Sequence, residues 1–338
     1  MAYELISAAG NMPPVNLPSH IPLSDIEAAR VRTAGVALRT PLIRLNVEDA
    51  PCEVYLKLEN LQAIGSFKLR GAANALLAAA PDVLKAGVYT ASAGNMAQGV
   101  AWNARRLGIR CDVVVPDHAP QTKLDAIERL GARITKVPFD RWWTVLVDHG
   151  FAELSGHFIH PVSNRDVIAG NGVIGLEVLE DLPEVDAIVV PYGGGGLSAG
   201  IGSAVKACRP NVKVFGVEVA TAAPLAASMA AGRPVSIDYR ASFVDGIGGK
   251  SLLAEMWPMV SAVLGGSLVV SLEQVAAAIR LLAQRNRLVA EGAGAAPVAA
   301  AMQGMAGKGK VVCIVSGGNI NASTLGRILL GEDPVPVK

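Results

Sequence analysis

Short apolar runs rich in β-branched residues alternate along the chain with longer, alanine-rich stretches. The apolar runs predict strands, and the alanine-rich stretches, whose apolar residues recur with helical spacing, predict helices. Strands that are apolar throughout and are separated by helices are typical of parallel sheets covered on both faces. The pattern therefore predicts an α/β fold with largely parallel sheets and helices on both faces. The predicted strands are residues 87–91, 111–116, 133–137, 187–191, 212–219 and 311–315, and the clearest predicted helices are residues 96–107, 121–130, 197–207 and 272–285.

Length and composition narrow the class of protein. A chain of 338 residues is longer than a domain with one hydrophobic core usually is, which predicts two domains. Apolar residues make up 51% of the chain and charged residues 17%, which excludes an intrinsically disordered chain. The longest weakly polar run, residues 259–272, is too short to span a bilayer. Because the first lysine or arginine is Arg30, no secretory signal is predicted, and we expect a cytoplasmic protein with no membrane partner.

Charge and metal-binding patterns exclude two further classes. The formal net charge is +1 and no basic run is interleaved with aromatic residues, so nucleic acid is not an expected partner. The four cysteines are far apart and form no C-x-x-C pair, which predicts free thiols. His157 and His160 form an isolated H-x-x-H pair without a third ligand, so that no metal site is predicted.

Four consecutive glycines, Gly193, Gly194, Gly195 and Gly196, lie between a predicted strand and a predicted helix. The backbone N–H groups of such a loop can converge on a phosphate, and the dipole of the following helix favours the bound anion. The loop lacks the Gly-Lys-Ser/Thr ending of a nucleotide P-loop and departs from the G-x-G-x-x-G spacing of dinucleotide sites. A bound monophosphate is therefore favoured, and a flexible turn without a ligand is the alternative.

Three other segments place polar groups after predicted strands. Lys68 opens a helix-like run, the turn of residues 92–95 precedes a predicted helix, and Ser316 follows the last strand. Each has an ordinary explanation, as an exposed lysine or as a helix cap. Taken together, a lysine, a phosphate cradle, a turn that can bind a carboxylate and a hydroxyl group indicate an amino-acid substrate. Pyridoxal 5′-phosphate, held as a Schiff base with the lysine, is the cofactor that this set predicts.

Five motifs strengthen this hypothesis. In order, S-F-K-L-R-G-A, T-A-S-A-G-N-x-A-Q-G-V-A, G-G-G-G-L-x-A-G, E-G-A-G-A and S-G-G-N resemble those of the threonine/serine dehydratase family, which belongs to fold type II of the pyridoxal-phosphate enzymes (the tryptophan synthase beta-like superfamily). The resemblance covers residues 23–330. It implies a large cofactor-binding domain of residues 1–85 and 160–338, and a small domain of residues 86–159 that closes over the substrate. It also implies a homodimer.

The resemblance assigns roles to individual residues. It implies that Lys68 forms the Schiff base and later acts as the base at the substrate Cα. Ser316 meets the pyridine nitrogen, and its neutral hydroxyl leaves that nitrogen largely unprotonated, which favours β-elimination over transamination. The other implied cofactor contacts are Phe67, Asn95, Gly193, Gly194, Gly195, Gly196, Leu197 and Glu291, and the implied turn for the substrate carboxylate is Ser92, Ala93, Gly94, Asn95 and Met96.

Several positions depart from the family pattern. Racemases of this family place a serine before Gly-Asn as a second acid/base group, whereas this chain has Ala93, which disfavours racemisation. Met96 replaces a common histidine and indicates a more apolar substrate. Some relatives bind a divalent cation through a glutamate that corresponds to Glu218 and an acidic residue six positions later. Here that later position is Pro224, which has no ligand atom, so the cation site looks incomplete.

Trp142 and Trp143 allow two interpretations, a core between the domains or the wall of a pocket enlarged for a phenyl group.

The sequence thus predicts a pyridoxal-phosphate dehydratase, an ammonia-lyase that removes water from serine, threonine or a bulkier 3-hydroxy amino acid such as phenylserine. The products are a 2-oxo acid and ammonia. A racemase and a β-replacement synthase are the alternatives on the same fold. The glycine loop considered alone leaves a Rossmann-type nucleotide-binding oxidoreductase as a further alternative.

Overall fold

Two separate sheets organise the chain, which we describe from a computed structural model for residues 17–332. Sheet one has the strand order β1-β2-β10-β7-β8-β9, and sheet two has the order β5-β4-β3-β6. All neighbouring strands are parallel except β1 and β2. The strands are β1 (Leu42–Arg44), β2 (Glu53–Lys57), β3 (Val88–Ala91), β4 (Cys111–Pro116), β5 (Arg133–Val137), β6 (His157–Phe158), β7 (Ala187–Pro191), β8 (Lys213–Val219), β9 (Ser267–Val270) and β10 (Lys310–Ile314).

Helices connect the parallel strands and cover the sheets. They are α1 (Leu23–Thr33), α2 (Lys68–Ala78), α3 (Pro81–Leu84), α4 (Asn95–Leu107), α5 (Gln121–Arg129), α6 (Phe139–Val147), α7 (Arg165–Asp181), α8 (Gly196–Cys208), α9 (Pro224–Ala231), α10 (Trp257–Val263), α11 (Leu272–Leu281), α12 (Gly292–Met302) and α13 (Ala322–Leu330). Short 3-10 turns occur at Glu59–Leu61 and Ala254–Met256, and a π-helical turn at Leu282–Asn286 follows α11. No helix within residues 17–332 is long and apolar enough to cross a membrane.

Alternate residues of the central strands enter two different cores. Ile188 and Val190 of β7 pack with α1, α7, α8 and α10, whereas Val189 packs on the opposite face with α11 and α12. A strand whose successive side chains point to opposite faces is apolar throughout only when both faces are buried. The predicted α/β fold, with largely parallel sheets covered on both faces, is confirmed.

The predicted elements are confirmed in type and differ at their ends. The predicted helix of residues 272–285 ends as an α-helix at Leu281, because the chain changes to a π-helical turn that closes with Arg287 at a φ of 58°. The weakly polar run of residues 259–272 is divided between α10 and β9. Sheet two is built from residues 88–158. The division into domains at residues 85/86 and 159/160 stays a prediction, and residues 1–16 and 333–338 of it lie outside the described part of the chain.

Parallel strands bring distant parts of the sequence to one edge. The carboxyl ends of β2, β10 and β7, which are neighbours in sheet one, lead into Lys68, Ser316 and the glycine loop respectively. The carboxyl end of β3 in sheet two leads into the turn at residues 92–95. Ligands of open parallel sheets bind beyond the carboxyl ends of the strands, so that the fold places all four segments where a ligand site is expected.

Candidate active site

A cavity of about 690 Å³ lies between the two sheets, at the carboxyl ends of their strands. A smaller depression of about 310 Å³ beside β1 and β2 contains no predicted site residue. Every residue that the sequence predicted for the site lines the larger cavity. These are Phe67, Lys68, Ser92, Ala93, Gly94, Asn95, Met96, Gly193, Gly194, Gly195, Gly196, Leu197, Glu291 and Ser316. The structure therefore brings them together, and their individual roles stay predictions.

Lys68 is the first residue of α2 and extends its amine into the cavity. Its Nζ donates a hydrogen bond to the carbonyl oxygen of Pro161 at 2.8 Å, and lies 5.3 Å from the centre of the Phe67 ring. Within residues 17–332 it forms no ion pair with a carboxylate. Burial lowers the pKa of this amine to about 8, because the surrounding protein disfavours the charged form. About a tenth of Lys68 is consequently an uncharged, nucleophilic amine at pH 7, far more than for an ordinary lysine.

The helix that presents Lys68 is fixed by Arg70, whose role the sequence did not indicate. Its guanidinium donates to Glu59 Oε2 at 2.8 Å and to Glu177 Oε1 at 2.7 Å. Glu177 also pairs with the fully buried Lys57, at 2.6 Å. Two cations and two carboxylates thus form a buried, electrically balanced cluster under the first turn of α2. The one signal in the sequence was the position of Arg70 inside the S-F-K-L-R-G-A motif.

The glycine loop forms a cradle of backbone N–H groups at the start of α8. Within the described residues, the N–H groups of residues 193–197 have neither a backbone nor a side-chain acceptor. Gly195 has a φ of 95°, which favours glycine, and a Cβ on Gly196 would lie 2.8 Å from the Val162 carbonyl oxygen. Unsatisfied donors at a helix N-terminus that faces a cavity suit a bound anion such as a phosphate.

The turn that follows β3 forms the opposite wall of the cavity. The N–H of Gly94 donates to the Ser92 hydroxyl at 3.2 Å, and α4 begins at Asn95. Met96 is buried in the core of sheet two, where it packs with residues of α4 and β4. Its side chain is therefore committed mainly to packing, although the residue also lines the cavity.

Three polar side chains form a chain across the floor of the cavity. Asn95 Nδ2 donates to Glu291 Oε1 at 2.9 Å, while Asn95 Oδ1 accepts from Asn319 Nδ2 at 2.7 Å. Asn319 Nδ2 donates also to the carbonyl oxygen of Ile64, and no role was predicted for this residue. Ser316 lines the cavity, and its hydroxyl has no hydrogen-bond partner within residues 17–332. The hydrogen bonds among these side chains connect the start of α4 with the segments that follow the strands of sheet one.

The donor set fits pyridoxal 5′-phosphate. The free N–H groups of the glycine loop match a monophosphate, and the amine of Lys68 matches an aldehyde. Ser316 and Asn95 offer groups that can bind a ring nitrogen and a ring oxygen from two sides of the cavity. Which of these residues hold the cofactor stays a prediction.

An ion pair spans the cavity mouth and was not predicted. Lys123 on α5 donates to Asp245 Oδ2 at 2.5 Å, so that it connects a helix of sheet two with the irregular segment of residues 232–249. Both residues line the cavity. A single carboxylate in a loop carries no sequence pattern that predicts its partner.

The cavity wall on the sheet-two side is aromatic. Phe139 and Trp142 of α6 lie with their ring centres 5.7 Å apart and both line the cavity with Leu146. Trp143 is 38% exposed and does not line it. The two tryptophans of the tandem therefore have different environments, and only Trp142 can contact a ligand in the cavity.

The structure brings His160 together with His149 and Glu255 rather than with His157. The rings of His149 and His160 are stacked with their centres 4.4 Å apart, and His149 Nε2 lies 3.5 Å from Glu255 Oε1. Two backbone N–H groups of the segment that follows β6 donate to His160 Nδ1. The proton of neutral His160 consequently resides on Nε2, so that neither ring nitrogen offers a free lone pair, and this tautomer opposes metal coordination.

Glu218 has internal partners. Its carboxylate accepts from the N–H groups of Leu225 and Ala226 at 2.8 and 2.9 Å, and from the Ser267 hydroxyl at 2.7 Å. Pro224 is the first residue of α9, so that Glu218 satisfies free N–H groups of the first turn of that helix. The position that suggested an incomplete cation site thus has a structural role in this chain.

Comparison with known proteins agrees with this geometry. The family described as "Pyridoxal-phosphate dependent enzyme" matches residues 34–317. An L-threonine ammonia-lyase of Thermotoga maritima is 40% identical over 315 residues, which are 91% of this chain and 78% of that protein.

Solved structures show the same architecture. The processed form of threonine deaminase isoform 2 from Solanum lycopersicum superimposes with a TM-score of 0.82 at 31% identity, covering 97% of this chain and 94% of that one. A serine racemase from Dictyostelium discoideum superimposes with a TM-score of 0.80 at 32% identity, covering 90% of this chain and 100% of that one. The resemblance to fold type II enzymes of the threonine/serine dehydratase family is confirmed, as is pyridoxal phosphate as the cofactor.

Proposed function

This chain belongs to the pyridoxal-phosphate dependent enzyme family, and we propose that it removes water from a 3-hydroxy amino acid with loss of the amino group. The products are a 2-oxo acid and ammonia. The amine of Lys68, which faces the cavity without a carboxylate partner among the described residues, is the observation that carries the proposal. Relatives such as the Thermotoga maritima L-threonine ammonia-lyase support a lyase of this kind.

The cofactor and the substrate would be held by separate groups. Bound pyridoxal phosphate supplies an electron-accepting ring that stabilises negative charge at the substrate Cα. The N–H groups of residues 193–197 would bind the phosphate, and Ser316 and Asn95 would orient the ring from two sides. The free donors at the start of α4 would receive the substrate carboxylate, because a helix N-terminus favours an anion.

Lys68 would move the proton of the reaction. Since burial places the pKa of its amine at about 8, Nζ can accept a proton from the substrate Cα and release it again near neutral pH. The Pro161 carbonyl oxygen, 2.8 Å from Nζ, limits the directions in which the amine can point. Loss of the β-hydroxyl as water then gives an enamine, which hydrolyses to the 2-oxo acid and ammonia.

Ala93 favours elimination over racemisation. Racemisation needs a second group that can hand a proton to the other face of Cα, and a methyl group has no exchangeable proton. A serine racemase shares this fold, so the distinction depends on such single positions. The variant Ala93→Ser should acquire racemisation of the substrate, detected by chiral chromatography. Absence of any D-product in a folded, cofactor-loaded A93S enzyme would contradict the assignment of the two faces.

The substrate side chain is proposed to be larger than that of serine. Phe139, Trp142 and Leu146 line the cavity on the side of sheet two, as does the proposed carboxylate turn. Apolar and aromatic side chains bind a methyl or phenyl group better than a hydrogen atom, by displacing water from apolar surface. Phenylserine and threonine are therefore the expected substrates, ahead of serine.

A panel of serine, threonine and phenylserine tests the substrate class through release of 2-oxo acids. We expect kcat/KM to increase with side-chain size in the wild type. In Trp142→Ala the preference for phenylserine over threonine should fall by roughly tenfold to a hundredfold, because one apolar wall is lost. Trp143→Ala is the matched control and should keep the preference. Equal rates for all three substrates would contradict the proposed pocket, and no 2-oxo acid from any of them would contradict the dehydratase.

The β-replacement alternative and the assembly have their own tests. A β-replacement synthase would give a new amino acid when a thiol is supplied with the substrate, instead of a 2-oxo acid. The homodimer implied by the resemblance is proposed for this chain as well, and sedimentation of the purified protein tests it. A cytoplasmic location stays a prediction.

A further inference from the structure

Five buried carboxyl groups lie within residues 17–332, and Glu291 differs from the rest. The other four either pair with arginines or accept several N–H and O–H donors; they are Glu59, Asp112, Glu177 and Glu218. Glu291 has no cation within ion-pair distance among the described residues. Its Oε1 accepts a hydrogen bond from the Asn95 amide at 2.9 Å, and the residue is buried.

Glu291 is held tightly at the cavity floor. It is the residue before α12, and its carboxyl group lies next to Asn95 and the segment after β10. A Cβ on Gly317 would lie 2.5 Å from Glu291 Oε1, and a Cβ on Gly246 would lie 3.4 Å from it. The carboxyl group is thus packed against glycine backbone on two sides, which limits the water that can surround it. An enclosed carboxyl group without a cation is more stable with a proton than without one.

The charges around Glu291 act on its proton in opposite directions. Burial first, and then the carboxylate of Asp245, raise the pKa of Glu291 to about 7. Lys123, which pairs with Asp245, lowers it, as do the hydrogen bonds from Asn95 and from the backbone of Asn319. The charged or titratable groups that line the same cavity are Lys68, His118, Lys123, Arg129 and Asp245.

We propose that Glu291 is a positioning residue that carries a proton when the cofactor binds. The carboxyl group behind Asn95 is then uncharged, so that the Asn95 amide can face the negatively charged 3′-oxygen of the cofactor. The proposal rests on the proposed contact of Asn95 with that oxygen, and neither the substrate nor the reaction enters. An ionised Glu291 places a negative charge directly behind the Asn95 amide. In an enclosed site this charge repels the 3′-oxygen and weakens cofactor binding.

The sign of the pH effect follows from this repulsion. Below the pKa of Glu291 the carboxyl group is neutral and has no effect. As the pH rises through about 7, the free protein loses this proton while the loaded protein keeps it longer, so that affinity for the cofactor falls. Lys68 acts in the opposite direction, because its uncharged amine is the form that reacts. The two effects are separated by comparing the wild type with Glu291→Gln, which keeps Lys68 and resembles the protonated acid in shape.

The experiment measures the dissociation constant of pyridoxal phosphate for the apoenzyme, without substrate, from about pH 6 to about pH 9, a range that brackets the titration of Glu291. The ratio of the wild-type constant to the E291Q constant should be near one at the acid end. It should increase with pH to roughly tenfold, the size expected for one charge a few ångströms away in a partly shielded site. A ratio that is independent of pH overturns the proposal.

Two further variants test the origin of the effect. Asp245→Asn removes the charge that favours the protonated form, so Glu291 ionises at lower pH and the loss of affinity begins at lower pH than in the wild type. Lys123→Met removes the charge that favours the ionised form, so the loss begins at higher pH. Asp238→Asn, at an exposed residue of the same irregular segment, is the control and should change nothing. Equal midpoints in D245N and K123M overturn the role of this pair.

A second measurement keeps the proposal testable if E291Q does not fold. Infrared spectra of the wild-type apoenzyme should show a protonated-carboxyl band that disappears as the pH rises through about 7. The same band should disappear at lower pH in D245N, which retains Glu291. A wild-type spectrum without such a band overturns the proposal, and a band that D245N does not shift overturns the role of Asp245. Dehydratase activity does not enter either measurement, so failure here is distinguishable from failure of the proposed reaction.

Discussion

Two cations occupy the first turn of α2, and they have opposite surroundings. Lys68 faces the cavity, donates one hydrogen bond to a carbonyl oxygen and has no carboxylate partner within residues 17–332. Arg70, two residues later, points to the other side and contacts Glu59 and Glu177. The same helix thus carries a cation whose charge is left uncompensated and a cation whose charge is fully compensated.

The surroundings set the chemistry of each group. Burial lowers the pKa of Lys68 to about 8, which makes its amine available as a nucleophile and base. Burial alone would lower the pKa of Arg70 as well, but Glu59 and Glu177 reverse this and raise it, so that Arg70 stays charged and fixed. A buried cation is reactive where its partner is missing and structural where its partners are present. The second arrangement holds the first in place, since both belong to one helical turn.

Removal of Lys68 should have the largest effect. We expect Lys68→Ala to lower the dehydratase rate by a factor on the order of 10⁴ or more, because both the covalent link and the proton transfer are lost. The absorbance band of the cofactor bound to lysine should disappear with it. Lys85→Ala, at an exposed lysine, is the control and should keep both. A K68A enzyme that retains the band would contradict the assignment of Lys68 as the reactive cation of α2.

Removal of Arg70 should act on stability first. Arg70→Met leaves Glu59 and Glu177 buried with only Lys57 to balance them, which should lower the free energy of unfolding by about 3 to 5 kcal/mol. Urea denaturation measures this. Arg44→Met removes one partner of an exposed pair and should cost less than about 1 kcal/mol. Similar losses in R70M and R44M would show that the buried cluster is no more important than a surface pair.

Replacing the uncompensated lysine should stabilise the protein without cofactor. Lys68→Met should raise the free energy of unfolding of the apoenzyme by about 2 kcal/mol near neutral pH, after allowance for water in the cavity. The wild type bears the cost of a buried charge below about pH 8, and this cost disappears as the pH approaches 10.5, the ordinary pKa of lysine. The gain should therefore shrink as the pH rises over that interval. A destabilised K68M apoenzyme would contradict an uncompensated charge at this position.

A conservative change at Arg70 should have the smallest effect. Arg70→Lys keeps the charge but cannot bridge both carboxylates with a rigid guanidinium, which should cost about 1 to 2 kcal/mol. The cofactor band should remain at low denaturant, because Lys68 is untouched. Loss of the band in a folded R70K protein would show that Arg70 orients Lys68 and does more than stabilise the helix.

Much of the fold and of the candidate site could be predicted from sequence patterns within short segments. The glycine loop, Lys68 and Ser316 each follow a strand, and parallel strands bring such positions to one edge whatever the details of packing. Partners from distant segments could not be predicted in this way. Arg70 and Glu177 are 107 positions apart and Asn95 and Glu291 are 196 apart, and no local pattern relates them. The ion pair at the cavity mouth was missed for the same reason.

The position of β10 has a consequence for the synthesis of the protein. Although it is the last strand within residues 17–332, it lies between β2 and β7, near the middle of sheet one. Until residues 310–314 leave the ribosome, β2 and β7 each present an unpaired apolar edge to the surroundings, which invites aggregation. We therefore expect the growing chain to depend on chaperones until β10 has been synthesised. Competence to bind the cofactor should arise abruptly, because insertion of this one strand closes the sheet and delivers Ser316 in the same step.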